Sequence, residues 1–223
     1  MKTLGINAED FVRHYPRLYH MAQDGAWGSI RQRGLLSTTA LLDLFQVNGD
    51  LRHQIESCHR PKSITITHPE HGTAVIRDQK PMHESALLKC LRNMTPREWY
   101  ELLNRKSFFW VTEERVRHLL AARMYRSSTH TVITVDAASL LKVHQDKIML
   151  SPINSGSTLY NASPRGADTF LSFADYPFED RKKKAGLARA VAELAVDYSV
   201  PDVSKHVIRV ERRNGGRVVE RLV

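Results

Sequence analysis

Leu18-Tyr19-His20-Met21 is a short apolar run that carries a histidine, and Trp27-Gly28-Ser29-Ile30-Arg31-Gln32-Arg33-Gly34 follows within a few residues. The first run reads as a buried strand. The second reads as a short amphipathic helix, because Ile30 falls three or four residues from Trp27, Arg33 and Gly34, and Gly34 stands where a helix end favours a residue without a Cβ. Leu35-Leu36-Ser37 then turns the chain into its next element. A strand that closes on an imidazole and leads at once into a glycine-capped helix turns His20 toward whatever the fold binds.

A second block has the same density of signal. Phe108-Phe109-Trp110-Val111-Thr112-Glu113-Glu114, then Leu119-Leu120-Ala121-Ala122-Arg123, then Thr131-Val132-Ile133-Thr134-Val135-Asp136-Ala137 spell strand, helix, strand. Together the two blocks resemble the ADP-ribosyltransferase fold, in particular its DarT-like DNA-modifying branch and the related RNA 2'-phosphotransferases. In those proteins a "hydrophobic-Tyr-His" strand precedes a helix ending in Gly-Leu, and an arginine near a helix end leads to a strand closing with Val-Asp-Ala. The string is also similar to a family of bacterial proteins of unassigned function that share Ser151-Pro152-Ile153-Asn154-Ser155-Gly156 and Asp168-Thr169-Phe170-Leu171. The resemblance covers roughly residues 15 to 180.

The resemblance implies an α+β fold: a split antiparallel or mixed sheet of ADP-ribosyltransferase type with flanking helices, followed by a C-terminal helix and hairpin. It implies NAD as substrate, with His20 on a ribose hydroxyl, Arg123 on the phosphates and Asp168 in the place of the family's catalytic glutamate. Tyr19, Gly34, Ser37 and Phe109 complete the expected NAD contacts. Two departures matter. Asp168 is one methylene shorter than glutamate and is followed by Thr169, and Phe109-Trp110 replaces the His-Leu of the phosphotransferases, which removes a phosphate-binding histidine.

The residues read by themselves leave alternatives open. A lone histidine on an apolar strand is commonly a core residue satisfied by backbone, although here Tyr19 and Gly34-Leu35 flank it. Arg123 sits where a helix C-terminus favours any cation. Asp168 fits a turn as well as a ribose. Arg77-Asp78-Gln79 is a compact polar triplet that needs internal partners if buried and meets substrate if it borders a cleft; Arg77 and Gln79 are taken as substrate contacts. Ser151 to Arg165 is long and rich in Ser, Asn, Gly and Pro, the composition of a binding loop and equally, at Ser155-Gly156-Ser157, of a flexible connector. It offers Asn154, Ser155, Tyr160 and Arg165 to a substrate base.

Composition narrows the class. Of 223 residues 42% are hydrophobic and 26% charged, enough apolar surface to bury a core and too little polarity for disorder. A formal net charge of +9 attracts polyanions, so nucleic acid is the first partner to consider. The Arg181-Lys182-Lys183-Lys184 run fits a solvated helix face equally well. Two cysteines, Cys58 and Cys90, suit a reducing compartment and offer neither a disulfide framework nor paired zinc ligands. With no apolar signal core and no membrane span, the expectation is a cytoplasmic protein. The histidines His14, His20, His53, His59, His68 and His71 form no ligand pair on one helix face, so no metal is expected.

Domain boundaries follow from the pattern. Residues 1–180 are expected to form the ADP-ribosyltransferase-like domain, with a hairpin and helix insertion over 46–105, and 181–223 a C-terminal appendage. Within these, Asn7-Ala8-Glu9-Asp10 opens a short capped helix that ends before Pro16, and Ser37 or Thr38 caps one that runs to Phe45. Ser63–Thr67 and Thr73–Arg77 form a hairpin around His68–Gly72. Thr95-Pro96-Arg97-Glu98 opens a helix with a capping box and Pro at its first turn. Thr169-Phe170-Leu171 is expected as a strand, Arg181 to Tyr198 as one amphipathic helix, and Asn214-Gly215-Gly216 as the turn of a terminal hairpin. The functional expectation is an NAD-dependent transferase that puts ADP-ribose on a nucleic acid base or terminal phosphate, with release of nicotinamide. Its rivals are a catalytically silent nucleotide-binding or nucleic-acid-binding relative and an enzyme moving 2'-phosphate from RNA to NAD. A neutralising partner protein would suit a toxin-like activity, and oligomeric state is left open.

Overall fold

The computed structural model describes residues 5–159 and 162–223. Helix α1 (Ala8–His14) leads into strand β1 (Arg17–Gln23), and α2 (Trp27–Arg33) is followed by the short β2 (Leu35–Leu36). Helices α3 (Thr38–Leu44) and α4 (Gly49–Glu56) precede the hairpin of β3 (Ile64–His68) and β4 (Gly72–Ile76). Then come α5 (Glu84–Cys90), α6 (Pro96–Asn104), β5 (Lys106–Trp110), α7 (Glu113–Ala121), β6 (Thr129–Asp136), α8 (Ala137–His144) and β7 (Ile148–Ser151). The chain ends with α9 (Phe178–Ala185), α10 (Leu187–Ala190), β8 (Glu193–Asp197), β9 (Ser199–Val200), β10 (Val207–Asn214) and β11 (Arg217–Arg221).

Local chemistry explains most of these boundaries. The Asn7 side chain accepts the Asp10 N–H at 2.8 Å and Ser37 accepts that of Ala40 at 3.1 Å, each satisfying an otherwise orphaned helix donor. Thr95 and Glu98 close a reciprocal capping box on α6.

Among the described residues the main sheet has seven strands in the order β11-β10-β6-β1-β5-β8-β7, with antiparallel neighbours throughout. The protein is therefore a mixed α and β fold, a large antiparallel sheet with helices around it. Its central feature is an incomplete ladder. Strand β1 pairs with β6 all the way from Arg17↔Asp136 to Gln23↔His130, and β5 pairs with β8 from Lys106↔Asp197 to Trp110↔Glu193, but β1 meets β5 only at Tyr19↔Trp110. The sheet is split between its two central strands.

The largest core packs Phe11 of α1 and Leu140 of α8 with Leu18, Phe109, Ile133 and Leu194 from the sheet. Trp99 and Tyr100 of α6 pack with Leu87 and Ala195, while Val116 and Leu120 of α7 cover Tyr19 and Met21. A smaller cluster joins α3 and α4 to the β3–β4 hairpin through Leu42, Ile55 and Ile76.

Three expectations are corrected here. The helix expected over Arg181–Tyr198 is broken at Gly186, whose φ of +79° ends α9; the short α10 follows, and the last part is the buried strand β8. Ala190-Val191-Ala192 and Leu194-Ala195-Val196 are buried throughout, and a strand covered on both faces loses the alternation that distinguishes it from a helix. Thr169-Phe170-Leu171 is a 3-10 turn over Ala167–Thr169 followed by a single bridge from Leu171 to Leu150, so no strand follows Asp168. The segment 181–223, expected as an appendage, supplies β8, β10 and β11 of the main sheet.

Candidate active site

The split opens into a cavity of about 540 Å³, within the range of small-molecule sites. Its walls come from β1, the Gly34–Thr38 segment, the end of β4 with Arg77-Asp78-Gln79, the inner edge of β5, and Asn154-Ser155-Gly156 of the long loop. Glu193 and Tyr125 also open onto it.

His20 lies just past the single β1–β5 pair, where the ladder has parted. Its Nδ1 lies 2.8 Å from the Phe108 carbonyl oxygen, and its ring meets Phe109 edge-on at 5.9 Å. A carbonyl only accepts, so Nδ1 carries the proton. Burial lowers the imidazole pKa to about 4, with the Arg77 charge adding to the shift, and the ring is neutral at pH 7. Its Nε2 is consequently a lone-pair acceptor, with no protein partner among the described residues. That is the state needed to accept a hydroxyl hydrogen.

The buried carboxylate of the cavity is Glu193, at the start of β8 and 4% exposed; Asp24 and Asp78 also line it. One of its oxygens accepts both the Ser155 N–H at 3.1 Å and the Ser155 hydroxyl at 2.6 Å. Burial outweighs these bonds and the nearby Arg115 and Arg165 charges, and pushes the carboxyl up to about 7. Glu193 pairs with Trp110 across β5, and Trp110 with Tyr19 across the split.

Arg77 supplies positive charge. Its guanidinium donates to the Met21 carbonyl at 3.1 Å, capping β1 where β5 no longer pairs with it, and lies 5.2 Å above the Tyr125 ring. Burial lowers its pKa without neutralising a group that starts so high. Asp78 accepts the Tyr125 hydroxyl at 2.9 Å, and Gln79 accepts the Arg60 N–H at 3.0 Å and exchanges backbone contacts with the same residue. The triplet is both internally satisfied and at the cavity edge.

Most of the expected site residues converge on this cavity: His20, Gly34, Ser37, Phe109, Arg77, Gln79, Asn154 and Ser155. Four do not. Tyr19 does not line the cavity: its ring is buried under α7 with Met21 and Val132. Arg123 lies exposed in the turn after α7, and Tyr125, two residues on, takes the cavity side. Asp168 is exposed in the 3-10 turn. Arg165 is 3% exposed and donates to the Ser155 carbonyl at 3.1 Å, so it braces the loop that binds Glu193 and does not itself face a ligand. Tyr160 lies outside the described residues.

Glu193 is the residue that sequence reasoning missed, and its signal was present. Glu193 opens an apolar strand, the setting in which the expected carboxylate was sought at Asp168, but the segment read as helix. Exchanging Arg123 or Asp168 for alanine is accordingly expected to leave both ligand binding and turnover unchanged and to alter stability by less than about 0.5 kcal/mol, measured by thermal unfolding with and without ligand.

Residues 16–207 match the model of DUF7002, a family of unknown function. No curated protein matches the chain.

Proposed function

The chain belongs to the DUF7002 family, and from its cavity we propose that it is an NAD-consuming ADP-ribosyltransferase acting on a nucleic acid, with release of nicotinamide. The observation that carries this reading is that a neutral first-strand histidine and a buried glutamate line one cavity in the split of the sheet. The resemblance seen in the sequence asks for that pair, with glutamate in the position where Asp168 was expected.

In this reading His20 Nε2 accepts a ribose hydroxyl, Arg77 meets the pyrophosphate, and Trp110 and Tyr125 offer aromatic faces to the bases. The glycosidic bond between ribose C1' and the nicotinamide nitrogen breaks, and its electron pair neutralises the pyridinium. A lone pair of the acceptor forms the new bond to C1', and the acceptor's proton leaves to solvent. Positive charge builds on the ribose in between, and ionised Glu193 stabilises it from a water-poor wall where such an interaction is strong. A net charge of +9 suits a polyanionic acceptor.

Incubation with nicotinamide-labelled NAD and DNA or RNA oligonucleotides tests the reading. Nicotinamide release that needs nucleic acid, together with a rise in melting temperature on adding NAD, is expected. His20→Ala should weaken turnover roughly 10- to 100-fold, the worth of one hydrogen bond to a ligand hydroxyl. A thermal shift without release would make the protein a silent binder. Transfer of phosphate from 2'-phosphorylated RNA would make it a phosphotransferase. Neither shift nor release would remove NAD from the reading altogether.

A further inference from the structure

Outside the cavity, three potential metal ligands from two parts of the chain meet in one place. His144 closes α8, and Asp202 and His206 flank the 3-10 turn Val203–Lys205 between β9 and β10. His144 Nε2 lies 2.7 Å from Asp202 Oδ1, and His206 Nε2 lies 3.5 Å from that same oxygen. All three ligand atoms fall within 4.8 Å of one another. Their side chains are 8%, 23% and 3% exposed in chain order, so the group is enclosed on the histidine side and reachable past the carboxylate.

Two details distinguish this from a hydrogen-bonded cluster complete in itself. His206 Nε2 is buried and makes no hydrogen bond among the described residues, having only the Asp202 carboxylate at 3.5 Å, which leaves a polar atom at a cost a native interior avoids. The other ring nitrogen is held: Nδ1 lies 2.6 Å from the Ser139 hydroxyl, which fixes the ring and aims Nε2 at the carboxylate. A second-sphere partner of this kind is what metal-bound imidazoles usually carry. Zinc bonds of about 2.0–2.2 Å set neighbouring ligand atoms roughly 3.3 Å apart, between the two separations observed here.

We propose that His144, Asp202 and His206 bind one first-row divalent cation, with zinc the best match to two imidazoles and a carboxylate, and with a water as fourth ligand. Two neutral histidines and one carboxylate leave a net charge that a dication overcompensates, and borderline nitrogen donors favour zinc over calcium or magnesium. The site would pin the segment that carries Pro201, the residue packed against Gly34 at the cavity wall. It does not depend on what the cavity binds. Histidine spacing along the chain offered no hint of it, because His144 and His206 lie far apart in sequence.

The test is metal uptake by the full chain, stripped with a chelator and then equilibrated with micromolar ZnSO4. One zinc per chain and a higher melting temperature are expected, both kept in Cys58→Ser, which removes the more accessible thiol, and both lost in His206→Gln and His144→Gln. No stoichiometric uptake by the wild type, uptake unaffected by both histidine changes, or uptake lost with Cys58→Ser would overturn the proposal. Should neither histidine variant fold, Co2+ added to the wild type decides. The visible absorption of a tetrahedral nitrogen and oxygen site supports the assignment, and the spectrum of the aqua ion overturns it.

Discussion

Glu193→Gln is expected to abolish nicotinamide release and at the same time raise the melting temperature at pH 8. The catalytic loss follows from charge. Glutamine keeps the shape and can still accept the two Ser155 hydrogen bonds through its oxygen, but it presents no anion to a cationic ribose. Removing one preorganised electrostatic stabiliser typically costs about 10²- to 10³-fold, and removing the carboxylate proposed to face the oxocarbenium should reach the upper end.

The stability gain follows from linkage. Folding raises the Glu193 pKa from 4.5 to about 7, so between those values the folded chain binds more protons than the unfolded one, and stability falls as pH rises. The penalty is absent below pH 4.5 and complete above 7, where it amounts to roughly 3 kcal/mol. Glutamine carries no such penalty. At pH 8 the variant should gain roughly 1–3 kcal/mol, or about 3–10 °C for a chain this size, and at pH 4.5 the advantage should vanish. Calorimetry at the two pH values reads this directly; a variant equally destabilised at both would mean that Glu193 is a structural residue. The same shift predicts that kcat/KM of the wild type rises through an inflection near pH 7 as Glu193 ionises. His20, at about 4, adds no second inflection above pH 5.

The contrast between what was and was not legible in the sequence lies in where the information sits. Local rules settle the capping box at Thr95, the caps at Asn7 and Ser37, both hairpins, and the β5-α7-β6 unit, because each rests on neighbours a few residues apart. His20 was legible for the same reason: Tyr19, the histidine and Gly34-Leu35 sit close together in the chain. Glu193 was not, since its strand is buried on both faces and only its place between β5 and β7 reveals it as a strand. The arginine was misplaced for a related reason. Which of Arg77 and Arg123 reaches the cavity depends on how the β3–β4 hairpin folds against β1, a long-range contact that no periodicity encodes. The basic run Arg181–Lys184, expected to open a helix, forms the end of α9, and it was the unrecognised stop at Gly186 that carried the expected helix on into the strand.

Gly34→Ala is expected to cost several kcal/mol and to take ligand binding with it. Gly34 has φ +88° and ψ 173°, a region closed to side chains, and forcing a residue into it costs about 1–3 kcal/mol. A Cβ there would also stand 2.5 Å from Pro201 Cα and 2.8 Å from the Pro201 and Val200 carbonyl oxygens. These are backbone atoms, which cannot swing aside as a flexible side chain could, and overpacking of this kind costs about 1–3 kcal/mol more. What must yield is the β2–β9 pairing, Leu35↔Val200 and Leu36↔Ser199, together with the Ser37 N–H to Tyr198 carbonyl bond of 2.9 Å. That strip is a wall of the cavity, so the variant should lose its thermal shift with NAD as well as roughly 5–20 °C of melting temperature. Gly28→Ala separates this from a general intolerance of change near the site. Gly28 lies on α2 only six residues earlier, its Cβ would meet nothing within 4 Å, and alanine should stabilise the helix by about 0.5–1 kcal/mol. Unfolding curves for the two variants moving in opposite directions would establish Gly34 as the position where the backbone conformation, and not merely the space, builds the cavity wall; two curves moving together would refute it.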